Sequence, residues 1–177
     1  TWSQAEIEAI NKVIDSGNFT MGKNVKKFEE KFSQFVNSKY SIMVNSGSSA
    51  NLLMIAALFY SNKYKLKRGD EVIVPAVSWS TTYSPLQQYG LKIKFVDVEI
   101  DSFNIDVTKL EDALTPQTKL IIAVSILGNP AALDQIKNFA VDHDLYFMED
   151  NCESLGAELP DNSKTGTFGD LNTFSLF

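Results

Sequence analysis

Residues 120–126, Leu120-Ile121-Ile122-Ala123-Val124-Ser125-Ile126, form an almost unbroken apolar run rich in β-branched side chains. A strand with one wet face alternates apolar and polar residues. A run without that alternation has to be covered on both sides. This restricts the chain to a layered α/β arrangement, in which helices pack on both faces of a mostly parallel sheet.

The neighbouring sequence fits that arrangement. Glu71-Val72-Ile73-Val74-Pro75 reads as a second short apolar strand, residues 92–98 as a third ending near Asp97, and residues 145–148 as a fourth that ends in Glu149-Asp150. Residues 166–169 lead into a last strand over 171–177. Helical patterns separate these runs, at residues 79–88, 106–114 and 131–143, with Gly90 and Gly128-Asn129-Pro130 as breaks. Strands alternating with helices define βαβ units.

Two more helices are expected near the start. Ser3 and Glu6 have capping-box spacing, Ile7, Ile10, Val13 and Ile14 make one stripe, and Gly17 ends the helix. Val25, Phe28, Phe32, Phe35 and Val36 recur at helical spacing to about Asn37, which reads as a buried helix face. Tyr40-Ser41-Ile42-Met43-Val44 is a β-type run, and Leu52 to Leu58 an apolar helical one.

Between those last two runs lies Asn45-Ser46-Gly47-Ser48-Ser49-Ala50-Asn51. The first N–H groups of a helix have no internal acceptor, and the helix dipole places partial positive charge there. Gly47 allows close backbone approach, and Ser48 and Ser49 add hydroxyl donors. The turn reads as an anion cradle suited to phosphate, or as an ordinary serine-capped helix. Ligands of parallel sheets collect at the carboxyl ends of strands. Two further features sit there: Trp79 after Val74-Pro75, and Asp150 after Met148. A carboxylate at a buried strand end needs a cation or several donors. A pyridinium nitrogen would serve, as in pyridoxal phosphate, with Trp79 stacked on the ring. Taken singly, Asp150 could cap a loop and Trp79 could be core.

Composition narrows the alternatives. A chain of 177 residues with 44% hydrophobic and 21% charged residues can bury one sizeable core. A net charge of −6 argues against general binding to nucleic acid or anionic membrane. The single cysteine, Cys152, excludes an internal disulfide and fits a reducing, cytoplasmic setting. A dinucleotide-binding turn would need GxGxxG, and residues 45–51 hold one glycine. The chain starts at Thr1 without methionine and stops inside an apolar run, so it is expected to be part of a larger protein.

Five motifs occur in order: Asn45-Ser46-Gly47-Ser48-Ser49-Ala50, Gly69-Asp70-Glu71-Val72-Ile73-Val74-Pro75, Leu127-Gly128-Asn129-Pro130, Glu149-Asp150-Asn151-Cys152-Glu153-Ser154-Leu155-Gly156-Ala157 and Gly166-Thr167-Phe168-Gly169-Asp170. Together they resemble the DegT/DnrJ/EryC1/StrS family of pyridoxal-phosphate sugar enzymes, over nearly the whole chain. The resemblance implies the aspartate-aminotransferase (type I) large domain, of which residues 1–177 would be the N-terminal part, and a homodimer. It implies pyridoxal 5′-phosphate or pyridoxamine 5′-phosphate as cofactor, a nucleotide-linked 4-keto sugar as substrate and glutamate as amino donor.

By position, Gly47, Ser48, Ser49 and Ser175 resemble the phosphate-binding residues, and Trp79 the ring-stacking residue. Asp150 resembles the partner of the ring nitrogen. Glu153 stands where many sugar aminotransferases carry glutamine, and a hydrogen-bonding or proton-relay role beside the ring is implied for it. Glutamate there looks closest to the nucleotide-sugar 3-dehydratase branch, where a histidine replaces the cofactor-holding lysine. The alternative is a nucleotide-sugar aminotransferase. The family's deciding residue is expected a few positions past Ser175, after Phe177. His143, between two aspartates at a helix end, reads as a surface residue. A non-catalytic module that keeps the fold is the remaining reading.

Overall fold

The computed structural model describes residues 2–176 and divides into two compact units, Thr1–Met43 and Val44–Phe177.

The first unit holds α1 (Gln4–Ser16) and α2 (Lys23–Phe35). The Ser3–Glu6 capping box forms as the spacing predicts: the Ser3 N–H donates to Glu6 Oε2 at 2.6 Å, and the Ser3 hydroxyl is also bonded to Glu6. Gly17 ends α1 with φ +65°, a left-handed cap that favours glycine. The apolar stripe of α1 is not buried here, and Ile7, Ile10 and Ile14 are all exposed. The phenylalanine stripe of α2 also departs from the expected buried face. Its rings stack along the helix instead, with Phe28 and Phe32 at 5.4 Å, and Phe35 is exposed. Two helices alone offer too little apolar surface to enclose either stripe.

The second unit carries the sheet. Its elements are α3 (Gly47–Tyr60), β1 (Glu71–Pro75), α4 (Ser80–Gln88), β2 (Lys92–Val96), α5 (Leu110–Ala113), β3 (Thr118–Val124), α6 (Leu133–Asp142), β4 (Tyr146–Asn151) and β5 (Leu171–Phe174). The five strands are parallel, in the order β2-β1-β3-β4-β5.

Side chains alternate across the pleat, so each central strand feeds two cores. Val72, Val74, Leu120, Ile122 and Met148 pack with Met54, Ile55 and Leu58 of α3 and Leu86 of α4. Ile73, Ile121, Ala123 and Phe147 pack with Leu110 of α5 and with Leu133, Ile136 and Ala140 of α6. The apolar run that opens β3 is therefore covered on both faces, as it demanded.

Three expectations shift. Residues 40–44 belong to no strand, because β-type side chains form a strand only against a ladder partner, and none is present among the described residues. The helix expected over 106–114 is a 3-10 turn, Val107–Lys109, capped by the Asp106 carboxylate and followed by the single turn of α5. The last strand ends at Phe174, and Phe177, the end of its predicted span, lies outside the described residues.

Candidate active site at the carboxyl ends of the strands

Asp150 lies near the end of β4, opposite Val124 of β3 and Thr173 of β5, and is 5% exposed. Its Oδ2 accepts from Asn51 Nδ2 and from the Thr82 hydroxyl, each at 2.8 Å, and its Oδ1 accepts from the Cys152 N–H at 3.2 Å. It stands in no ion pair among the described residues. Donors and acceptors fix the direction of the network. Asn51 gives an N–H to the carboxylate, so its oxygen accepts from the Thr173 hydroxyl at 2.7 Å. Thr82 spends its only proton on Asp150, so Ser78, 2.8 Å away, donates to Thr82. A cavity of about 10 Å³ beside the carboxylate is bounded by Asn51, Met54, Ile55, Thr82, Ile122 and Met148.

The N-terminus of α3 opens nearby. Ser46 is its N-cap and accepts the Ser49 N–H at 3.1 Å. The capped-helix reading and the anion-cradle reading are thus compatible, because the cap occupies one donor only. Gly47 and Ser48 contribute first-turn N–H groups that helix geometry leaves without an internal acceptor, and the Ser48 side chain is exposed. Gly47 meets a steric constraint that the sequence alone does not reveal. A Cβ there would fall 2.7 Å from Cys152 Sγ and 3.1 Å from Ser175 Cβ. The close approach is thus to the protein's own loops, and it sets Ser175 beside the first turn of α3.

Trp79 is the N-cap residue of α4, and its C=O accepts the Thr82 N–H at 3.0 Å. It therefore stands one turn from the residue that bonds Asp150. It is 72% exposed, so it takes no part in the core that residues 1–177 form.

Glu153 is exposed, and its Oε2 accepts the Leu127 N–H at 2.7 Å. Leu127 has φ +54°, an uncommon left-handed conformation for a leucine. The Glu153 carboxylate thus ties down the turn that follows β3.

Two neighbours of Asp150 are structural. Glu149, 1% exposed, accepts the N–H groups of Gly166, Phe168 and Gly169, each at 2.7 Å, which folds the loop before β5. Burial pushes its carboxyl above the ordinary range, against the opposing pull of those donors. The Cys152 thiol is pushed up strongly, first by burial and then by the Asp150 charge, so it is a poor nucleophile. His143 caps α6 and lies 3.1 Å from Glu111; it comes three residues before Tyr146, where β4 starts, while Asp150 lies near the far end of that strand.

The structure thus gathers Gly47, Asp150 and Ser175 through contacts on one side of the sheet. Trp79 joins through Thr82, and Glu153 follows two residues after the buried Asn151. The sequence reading assigned no role to Asn51, Thr82 or Thr173. Asn51 had a signal, since it is the one polar residue between Ala50 and the apolar run over 52–58. Thr82 and Thr173 had none, because a threonine in a helix or strand is unremarkable.

The parallel five-stranded sheet flanked by helices is the aspartate-aminotransferase-like (type I) fold. A family model described as the DegT/DnrJ/EryC1/StrS aminotransferase family matches residues 1–177, and the chain belongs to that family. It is 56% identical over 177 residues to the GDP-4-keto-6-deoxy-D-mannose 3-dehydratase of Yersinia pseudotuberculosis, covering 100% of this chain and 45% of that one. It is 32% identical over 173 residues to the GDP-perosamine synthase of Vibrio cholerae, covering 97% of this chain and 45% of the synthase. Among solved structures, it matches the E. coli GDP-4-keto-6-deoxy-D-mannose-3-dehydratase with bound hydrated PLP at TM-score 0.95 and 54% identity, covering 100% of this chain and 45% of the other. The chain spans about 45% of the length of these relatives.

Proposed function

We propose that the complete protein is a nucleotide-sugar 3-dehydratase that uses pyridoxal or pyridoxamine phosphate, and that residues 1–177 are the N-terminal part of its large domain. Identity carries the choice within the family: 56% to a dehydratase over the whole chain, against 32% to a GDP-perosamine synthase. A 4-keto-6-deoxy sugar linked to GDP is the matching substrate, glutamate the matching amino donor, and deoxysugar assembly for lipopolysaccharide the setting.

The residues present fit the cofactor. Asp150 is a buried carboxylate without a cationic partner among the described residues, which suits a protonated ring nitrogen. The first turn of α3, with Ser48, Ser49 and nearby Ser175, suits a phosphate. Trp79, exposed one turn from Thr82, is free to lie against a ring. When bound, the cofactor supplies an electron sink that lets a C3 hydroxyl depart from a 4-keto sugar. The chain's own part is to hold the ring's proton at Asp150, to anchor the phosphate and to wall off one ring face. Glu153 holds the Leu127 turn with Oε2, which leaves Oε1 to accept or relay a proton at the site.

Homodimerisation is part of the same proposal. Helix α3 is apolar on all sides, a pattern of helices buried all round, yet Leu53 and Tyr60 are exposed. A second copy would cover such a face. A cytoplasmic location is consistent with the single free thiol, and no helix among the described residues is long and apolar enough to cross a membrane.

The test is activity of the complete protein on a panel of 4-keto nucleotide sugars with glutamate. Release of a 3-deoxy sugar and ammonia supports the dehydratase. A stable 4-amino sugar supports the aminotransferase instead. Borohydride reduction separates the two independently, because only a lysine-linked cofactor becomes covalently fixed.

A further inference from the structure

The two oxygens of Asp150 are served very unequally. Oδ2 receives two side-chain donors at 2.8 Å, while Oδ1 receives one backbone N–H at 3.2 Å. Each Oδ2 donor is itself backed by a hydroxyl: Ser78 stands behind Thr82, and Thr173 behind Asn51. Such chains polarise and fix one another. They start from three elements, α3, α4 and β5, so they hold the carboxylate from several sides. All of these side chains except Ser78 are at most 5% exposed, and none of them belongs to the motif roles described above.

We propose that Asn51 and Thr82 are positioning residues that capture Oδ2 and thereby present Oδ1 as the acceptor offered to a cationic N–H. A carboxylate held by one oxygen cannot swing, so the other keeps a fixed direction. The identity of that cation as the ring nitrogen of pyridoxal phosphate rests on the function proposed above, whereas the positioning of Asp150 does not.

The experiment has two arms, both on the complete protein. In the cofactor-free protein, the Cys152 amide reports on Oδ1 through the 3.2 Å bond. Its hydrogen exchange is expected to quicken about five-fold in Thr82→Val and in Asn51→Leu, the size of one lost hydrogen bond. Thr82→Ser, which keeps the hydroxyl, is expected to match wild type. Ser78→Ala removes only the supporting hydroxyl at a partly exposed position and is expected to shift exchange less, in the same direction. It keeps the test alive if the two buried replacements do not fold. In the loaded protein, the ring-nitrogen resonance of 15N-labelled pyridoxal phosphate is expected to move toward the unprotonated form in Thr82→Val and to stay in place in Thr82→Ser.

Exchange at Cys152 that stays within about two-fold of wild type in every folded variant overturns the positioning role. Quickened exchange without cofactor binding upholds that role and overturns the cofactor reading of the site. Quickened exchange with an unmoved ring resonance leaves Asp150 positioned and shows that its partner is not the ring nitrogen.

Discussion

Gly47 and Cys152 meet so closely that a methyl group on Gly47 would lie 2.7 Å from the Cys152 sulfur. The first residue of a helix is a poor place for strain, since alanine is tolerated there on propensity alone. The contact with the loop after β4 therefore decides the residue. Gly47→Ala is expected to lower stability by about 1–3 kcal/mol, the usual size of overpacking, measured by urea denaturation. Adding Cys152→Ala is expected to restore part of the loss, because the sulfur is the nearest obstacle. The remainder stays with Ser175, whose Cβ would lie 3.1 Å away.

Glu149 offers a second prediction. Glu149→Ala would leave the buried N–H of Gly166 and those of Phe168 and Gly169 without their acceptor. Unpaired buried donors are expensive, so a loss of about 2–4 kcal/mol at pH 7 is expected. The pH dependence has a definite sign. Burial raises the carboxyl above its ordinary value of 4.5, so the native state binds the proton more tightly than the unfolded chain. The group's titration-linked stability is full below pH 4.5 and is lost as pH rises through the raised value. The gap between wild type and Glu149→Ala is thus expected to be widest in acid and to narrow toward neutrality, as denaturation at several pH values would show.

The thiol of Cys152 is expected to be sluggish. Burial and the charge of Asp150 keep it protonated at neutral pH. Alkylation by iodoacetamide at pH 7.5 should run at least about ten-fold slower than for the urea-unfolded chain. Equal rates in the two states would place the sulfur in a more open setting than the one it shares with Gly47.

Much of this architecture could be read from the residues. The unbroken run of β3 required cover on both faces, and the alternation of short strands with helices required a parallel sheet. The acidic end of β4 and the serine turn lie at the carboxyl ends of the strands, where their places in the sequence put them. What escaped was tertiary. Residues 40–44 have strand chemistry, but a strand is a pairing and not a composition. The tight packing at Gly47 comes from Cys152 and Ser175, far along the chain, which no local pattern reveals. The donors to Asp150 come from Asn51 and Thr82 across 99 and 68 residues, and their side chains look ordinary until the fold brings them together.

Glu153 links two loops, and its removal separates structure from chemistry. Glu153→Ala deletes the acceptor of the Leu127 N–H. Exchange of that amide is expected to quicken about five-fold, with global stability lowered by no more than about 1 kcal/mol at so exposed a position. Glu153→Gln keeps an oxygen for the turn and is expected to hold the Leu127 amide near wild type. If turnover of the complete protein falls in Glu153→Gln while the turn stays protected, the carboxylate has a role beyond tying down Leu127. Unchanged turnover in Glu153→Ala would remove it from the chemistry altogether.

Trp79 poses the sharpest contrast between exposure and use. A side chain 72% open to solvent contributes little to the fold, and its backbone already serves α4 by accepting the Thr82 N–H. Trp79→Ala is therefore expected to change stability by no more than about 0.5 kcal/mol, as for other surface substitutions. Stacking on a ring is worth about 0.5–1.5 kcal/mol, so affinity for pyridoxal phosphate should weaken roughly two- to ten-fold, read by absorbance titration of the complete protein. Trp79→Phe keeps an aromatic face and should recover most of that affinity. A loss of stability without a loss of affinity would mean that the indole is covered by protein rather than by cofactor, and the ring would then need another wall.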